Sequence, residues 1–327
     1  MSTVYTSIRK AIRIESIPLS SAGGEGSVYK IIPTLDYPSH CVKIYHKNKI
    51  SDLKKRKLEY LVLNKPSDAK GNSFMFCWPN ELIYDDSNIF IGFIMPLAFS
   101  GSEKLYEFCH PKLPAILNST WQKLNRNNDS KFHKRLKICF NIAVAVHSLH
   151  QGKKYVIIDL KPQNILINTQ GHISIIDVDS FQVSSGLNMI FQGEVLTPDY
   201  APIELYHAYK SSKKATENWD RFSLAVCLYQ ILLGIHPYTA TANELFCNAT
   251  TLGEKIKNGL YVHGLNKNML SVIPPLHSKF DTLPYSLKNL FNKAFAINGC
   301  NEIARPTATE WCDALYKEIQ ILDSTLA

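Results

Sequence analysis

Over the first 98 residues the apolar positions come in short β-branched or aromatic runs: Val28–Ile32, His40–Tyr45, Glu81–Asp85 and Ile89–Leu97. Each is bounded by Gly, Pro, Asn or Asp, which is the pattern of strands separated by turns. The exception is Ser51 to Lys65, where Ser51 can cap a first helical turn and Pro66 follows the last. Leu58, Leu61 and Val62 give that helix an apolar face. From Lys131 onward the period changes. Ile138, Ile142, Val146 and Leu149 form a helical stripe ending near His150, and Phe222 to Leu233 is apolar nearly all round, as in a buried helix. Residues 100–130 carry little pattern, and NRNNDS at 125–130 reads as a loop. The expected fold class is α+β: a small antiparallel β-rich half with one helix over 1–98, then a larger, mainly helical half over 99–327.

Composition removes several classes. Of 327 residues, 45% are apolar and 20% charged, which excludes a disordered or collagen-like chain. The longest nearly continuous apolar stretch, Ile89–Phe99, is too short to span a bilayer. Residues 1–19 contain no apolar stretch of the secretory type. The eight cysteines are scattered without a C-x-x-C pair, so neither a zinc cluster nor a disulfide framework is expected. These features predict a soluble, cytoplasmic protein with reduced thiols and no membrane partner. The net charge of +8 owes much to Lys47, Lys49, Lys54, Lys55, Arg56 and Lys57. No interleaved aromatics or DNA-binding motif accompany them, so the run reads as a solvated helix face and no nucleic acid partner is expected.

Three constellations carry chemistry. SAGGEGSV, Ser21 to Val28, lies between two expected strands. It fits G-x-G-x-x-G-x-V at Gly23, Gly26 and Val28, with Ser21 in the first glycine position. Such glycines let backbone approach phosphate oxygens, although a Gly-rich hairpin is often merely a turn. Next, Lys43 stands in a strand, and Glu59 lies 16 residues beyond it on the expected helix. A Lys–Glu pair bridging strand and helix would hold an ammonium against nucleotide phosphates. The third constellation is the specific one: IIDLKPQNILI from Ile157 to Ile167, and ISIIDVDSF from Ile173 to Phe181. Phosphoryl transfer needs a carboxylate to orient the attacking hydroxyl, which suits Asp159. It also needs oxygen ligands for Mg²⁺, which suits Asn164 and Asp177.

In these motifs the chain resembles the eukaryotic-type Ser/Thr protein kinase family over roughly residues 15 to 315, and DVDSFQ is similar to a bacterial branch of it. The resemblance implies a bilobal kinase fold, ATP and Mg²⁺ as cofactors, and protein hydroxyls as substrates. By that likeness Lys43 binds phosphate, Glu59 is its helix partner, Asp159 is the base and Lys161 steadies the transferred phosphate. Asn164 and Asp177 become the metal ligands. TPDYAPIEL would close the activation segment, with Thr197 near the base and Glu204 paired with Arg305; Asp220 would be a structural aspartate. Val28, Cys41 and Leu166 would enclose the adenine, Met95 and Leu97 would offer hinge backbone groups, and Ile94 would guard the back pocket. Leu63, Ile157 and Val178 would form a packed spine.

Four departures from the family pattern change the expectations. Ser21 replaces a glycine; Ile157-Ile158 replace His-Arg before the base; Val178-Asp179 replace Phe-Gly after the metal ligand; and P-I-E replaces A-P-E. Asp179 could share a face with Asp177 toward a metal, but the more ordinary role is to hydrogen-bond the local turn. Ile158 offers no donor to a phosphate, and residues 177–204 contain no Lys or Arg. A phosphate on Ser184 or Ser185 would then sit near Asp177, Asp179 and Glu194 without a cation. Activity independent of activation-segment phosphorylation is therefore expected, with the site either constitutively assembled or controlled by a partner acting on the Ser51–Lys65 helix. The alternatives are a small-molecule phosphotransferase of kinase-like fold, or a pseudokinase scaffold. The pseudokinase would be marked by loss of Lys43, Asp159, Asn164 or Asp177, and all four are present.

Overall fold

A computed structural model describes residues 2–19, 23–126, 131–186, 188–193, 196–204, 214–296 and 305–326. It divides into two compact units. The first comprises residues 1–70, 75–100 and 174–179; the second comprises 71–74, 101–173 and 180–327. The segment 174–179, expected from the sequence in the helical half, belongs with the β-rich unit, and residues 71–74, expected in the β-rich half, belong with the second.

In the first unit six strands form one antiparallel sheet: β1 (Ser2–Thr6), β2 (Ala11–Ile14), β3 (Gly26–Lys30), β4 (His40–Tyr45), β5 (Glu81–Tyr84) and β6 (Phe90–Pro96). Their spatial order is β2-β1-β5-β6-β4-β3. The two edges meet, because Ile32 N–H donates to Arg13 O and Glu15 N–H to Lys30 O, both at 3.0 Å. No long unpaired edge is left on this side. Val4, Ile12, Ile14, Ile31, Val42, Ile83 and Ile94 fill the enclosed face. Burying each such side chain stabilises by about 1.5–3 kcal/mol. Strand side chains alternate between faces, so Cys41, Lys43 and Tyr45 project from the other side of β4.

The helix α1 (Asp52–Leu63) starts where expected, with Ser51 Oγ accepting from Lys54 N–H at 3.2 Å. Its buried stripe is Lys54, Lys57, Leu58 and Leu61, an i, i+3, i+4, i+7 set. Trp78 Nε1 donates to Leu61 O at 2.8 Å and pins its last turn. Leu63 is not the packed residue the family likeness implied. Two residues beyond Leu61 is more than half a turn, which puts Leu63 on the solvent side at 83% exposure.

The second unit is built on α2 (Phe132–Gln151), α3 (Glu217–Leu233), α4 (Leu252–Lys257), α5 (Tyr285–Phe295) and α6 (Ala308–Leu326). α3 is buried over nearly its whole length, as its continuous apolar sequence implies, and it starts five residues earlier than the apolar run. Gly234, at φ 78°, ends it with an N–H bond to Gln230 O. The buried Arg126 donates to Gln230 O and Ile231 O at 3.0 and 2.9 Å, satisfying carbonyls at the same end. Among the described residues, no helix is long and apolar enough to cross a membrane.

Candidate active site

Lys43 is nearly buried, and its Nζ donates to both carboxylate oxygens of Asp179 at 2.9 Å and to Asp177 Oδ1 at 3.1 Å. Tyr45 Oη donates to Asp179 Oδ2 at 2.6 Å. Burial by itself would raise the Asp179 pKa. The Lys43 charge, the bonds from Tyr45 and Lys43 and the Lys57 charge outweigh it and hold Asp179 below the usual carboxylate range. Glu59 takes no part. It is exposed on the far side of α1, 3.9 Å from Lys55, so the expected Lys43–Glu59 pair is replaced by Lys43–Asp179. Nor does Asp179 serve its local turn, the ordinary role for such a residue, because its acceptors are filled from β4. The sequence did carry a signal of the facing of α1: Lys54 and Lys57 fall on the same stripe as Leu58 and Leu61.

Of the glycine loop, Ser21 lies outside the described residues. Gly23 N–H donates to Gly26 O at 3.0 Å, closing the turn. A Cβ on Gly26 would lie 2.2 Å from Ile44 O, so strand packing alone demands glycine there. Glu25 is clamped by Lys54 of α1 and by Lys49.

Val28 is half-buried, Cys41 is buried, and burial raises the Cys41 thiol pKa. Leu166 is half-buried on the short strand Ile165–Ile167, in register with Lys104. Ile157 and Val178 are each buried. Ile94 cannot guard a pocket beside Lys43, because it pairs with Val42 on the enclosed face. Phe93, opposite Lys43, and Met95, opposite Cys41, are the residues on the Lys43 side. A one-residue slip reverses every side chain of a strand. The Leu97 amide donates to Ser39 O at 3.0 Å, so of its backbone groups the carbonyl is the one left to face a ligand.

In the second unit, Asp159 is buried and both of its oxygens are engaged. Oδ1 accepts from Thr197 Oγ1 at 2.7 Å; Oδ2 lies 2.6 Å from Lys161 Nζ and 3.2 Å from Asn164 Nδ2. Lys161 Nζ also donates to Thr197 Oγ1 at 2.8 Å. The Asn164 amide nitrogen bonds Asp159 a second time, at its carbonyl, which leaves Oδ1 to offer a lone pair. In the first unit Asp177, with a side chain 43% exposed, is the more accessible carboxylate of the DVD pair. Asn164 Oδ1 and the Asp177 carboxylate are each hard oxygen donors of the kind Mg²⁺ takes. The described residues hold no group of three or more His, Cys, Asp or Glu fit for a metal.

The loop before Asp159 is held from beneath. Asp220, fully buried, accepts from Ile157 N–H at 2.8 Å, Ile158 N–H at 3.0 Å and His150 Nε2 at 2.9 Å. Ile158 has φ 67°, a conformation that costs a β-branched residue on the order of 1–3 kcal/mol. Its side chain packs with Val156, Ala201, Ala215, Trp219 and Leu196. The activation segment is thus seated on an apolar residue where the family pattern has arginine. Gln182 and Ala215 exchange two hydrogen bonds at 2.9 and 2.8 Å. Arg305 Nη2 meets Glu204 at 2.7 Å, and Ser223 Oγ donates to Tyr200 O at 2.7 Å. One expectation is corrected: Lys214 Nζ donates to Gly186 O at 2.7 Å, so a cation from outside the segment does reach Ser185's neighbour. Ser184 is buried with its hydroxyl beside Gln182. Glu194 lies outside the described residues.

Comparison with known proteins accounts for this arrangement. The chain is 27% identical over 300 residues to protein kinase YegI of Escherichia coli, matching 90% of this chain and 43% of that protein's length. It is 36% identical over 101 residues to human serine/threonine-protein kinase MRCK gamma, covering 30% of this chain and 6% of that one. The solved ROP18 kinase domain, in complex with AMP-PNP and sucrose, superposes with a TM-score of 0.61 at 15% identity, covering 98% of this chain and 84% of that one. That likeness establishes the fold. The family model for the protein kinase domain matches residues 105–316, the stretch that holds Asp159, Asn164, Asp177, Thr197, Glu204 and Arg305. With well over half of its length inside that match, the chain belongs to the protein kinase family.

Proposed function

We propose that the chain is a Ser/Thr protein kinase that transfers the γ-phosphate of Mg-ATP to protein hydroxyls without prior phosphorylation of its activation segment. The observation that carries this reading is the closed Asp159–Thr197–Lys161 network, whose three contacts lie at 2.6–2.8 Å. Asp159 is held in one orientation, ready to accept the proton of an attacking hydroxyl. Lys161 places a positive charge where negative charge develops on the transferred group. Lys43 supplies a second cation for phosphate oxygens, and Gly23 and Gly26 keep the loop backbone narrow. Asn164 Oδ1 and the Asp177 carboxylate would hold Mg²⁺, whose charge would offset that of the phosphates.

Thr197 and the Lys161-Pro162 pair favour Ser/Thr over Tyr substrates. The docked stretch from Thr197 to Glu204, tied down through Ser223 and Arg305, favours a peptide over a small molecule. Independence from segment phosphorylation rests on Ile158, which seats the segment by apolar contact. The test is purified protein with Mg-ATP, phosphosites mapped by mass spectrometry, beside Asp159→Asn. Phosphate on Ser or Thr in the wild type and its loss in the variant is the expected result. Transfer undiminished in Asp159→Asn would reject it.

A further inference from the structure

The charge pattern around Lys43 departs from the expected one at two places at once. The carboxylate that would come from α1 is absent from the site, since Glu59 is exposed. A carboxylate is present instead at residue 179, and α1 contributes lysine: Lys57 is 1% exposed, on the stripe that also carries Leu58 and Leu61. We propose that Asp179 is the positioning residue for Lys43, in the place of a glutamate on α1.

Geometry supports a dedicated anchor. Asp179 grips Lys43 with both oxygens, is oriented by Tyr45 Oη, and has a side chain only 5% exposed. Asp177 touches Lys43 with one oxygen and has a side chain 43% exposed. Asp179 is the carboxylate that holds the lysine with both oxygens.

This inference rests on the kinase reading only for its activity arm, so two measurements are paired. The first is a melting cycle on nucleotide-free full-length protein with Lys43→Met, Asp179→Asn and the double variant. Each single change orphans a buried charge or its partner. The expected result is that the double variant lowers Tm by clearly less than the sum of the singles. Additive shifts would overturn the anchor. The second is kcat/KM for ATP. Asp179→Asn should lower it by about 10- to 100-fold, the effect of losing one charged hydrogen-bond partner, while Asp179→Glu should retain most of it. Wild-type kcat/KM in Asp179→Asn would overturn the proposal. Should the Lys43→Met, Asp179→Asn double variant fail to fold, Asp179→Glu against Asp179→Asn decides alone. A wild type that transfers no phosphate removes the kinase reading, and the melting cycle then decides the anchor by itself.

Discussion

Thr197 Oγ1 donates to Asp159 Oδ1 at 2.7 Å, joining the stretch from Thr197 to Glu204 to the loop that carries Asp159. The hydroxyl does this work, so Thr197→Ser should keep phosphotransfer within a few-fold. Thr197→Ala should lower kcat with the fold intact by circular dichroism. Asp159→Asn removes the proposed base and should cost about 10²–10⁴-fold in kcat. Initial rates on an exogenous substrate order the three variants. Equal rates in Thr197→Ala and wild type would mean that Asp159 is oriented by other groups.

Asp220 serves three donors from a fully buried position. Asp220→Asn presents an NH₂ where one oxygen accepted, orphaning at least one backbone amide at about 1–3 kcal/mol. The strained φ of Ile158 then loses its support. Urea unfolding should show the loss of stability, and activity should fall with it. Retention of both would place the restraint on Ile158 elsewhere.

Arg305 and Glu204 form an ion pair with side chains only 10% and 12% exposed. Arg305→Ala leaves Glu204 uncompensated and should destabilise by roughly 3–5 kcal/mol. The urea midpoint is the measurement, and an unchanged midpoint would show that water repairs the site.

His236 gives a pH signature. Burial, with smaller contributions from His277 and Lys255, lowers its pKa from 6.5 to about 3, against the bond to the Asp199 carbonyl. Between about 3 and 6.5 the unfolded chain binds a proton that the folded chain does not. Stability is therefore complete above pH 6.5 and falls as the pH drops through that window. His236→Gln, which can both donate and accept, should lose less stability than wild type between pH 7 and 5. Some slope should persist, because burial also lowers His263, to about 4, and His277. Identical slopes would show that His236 charges without penalty.

Phosphatase-treated protein and a Ser184→Ala, Ser185→Ala variant should both phosphorylate an exogenous substrate at the untreated initial rate. Ser184 is buried, so Ser185 is the informative site, and Lys214 near it makes the test a real one. Inactivity until rephosphorylation, with the fold intact, would make the segment a phospho-switch.

Much of this was legible in the sequence because phosphoryl transfer fixes residue types at fixed spacings. Asp159, Lys161, Asn164 and Thr197 converge because D-x-K-P-x-N and T-P-D-Y each compress a local turn chemistry. The strands β1 and β2 were not read, since Arg9, Lys10 and Arg13 interrupt the apolar alternation and only one face of each strand is buried. Glu59 and Leu63 were misplaced for one shared reason. Helix facing turns by about 100° per residue, and motif spacing alone does not set that phase. The phase was available from the stripe itself, where Lys54 and Lys57 stand among the leucines. They were read as surface because lysine usually is. Ile94 was misplaced by the analogous slip on a strand.

The apolar seat of Ile158 gives the activation segment an unusual thermal character. An arginine–phosphate clasp is screened by salt and undone by a phosphatase. Contacts among Ile158, Leu196, Ala201, Ala215 and Trp219 carry no charge to screen. Apolar association instead weakens on cooling, because its driving force is largely the entropy of water. Ionic strength should leave this segment in place. It is held by a force that fades in the cold.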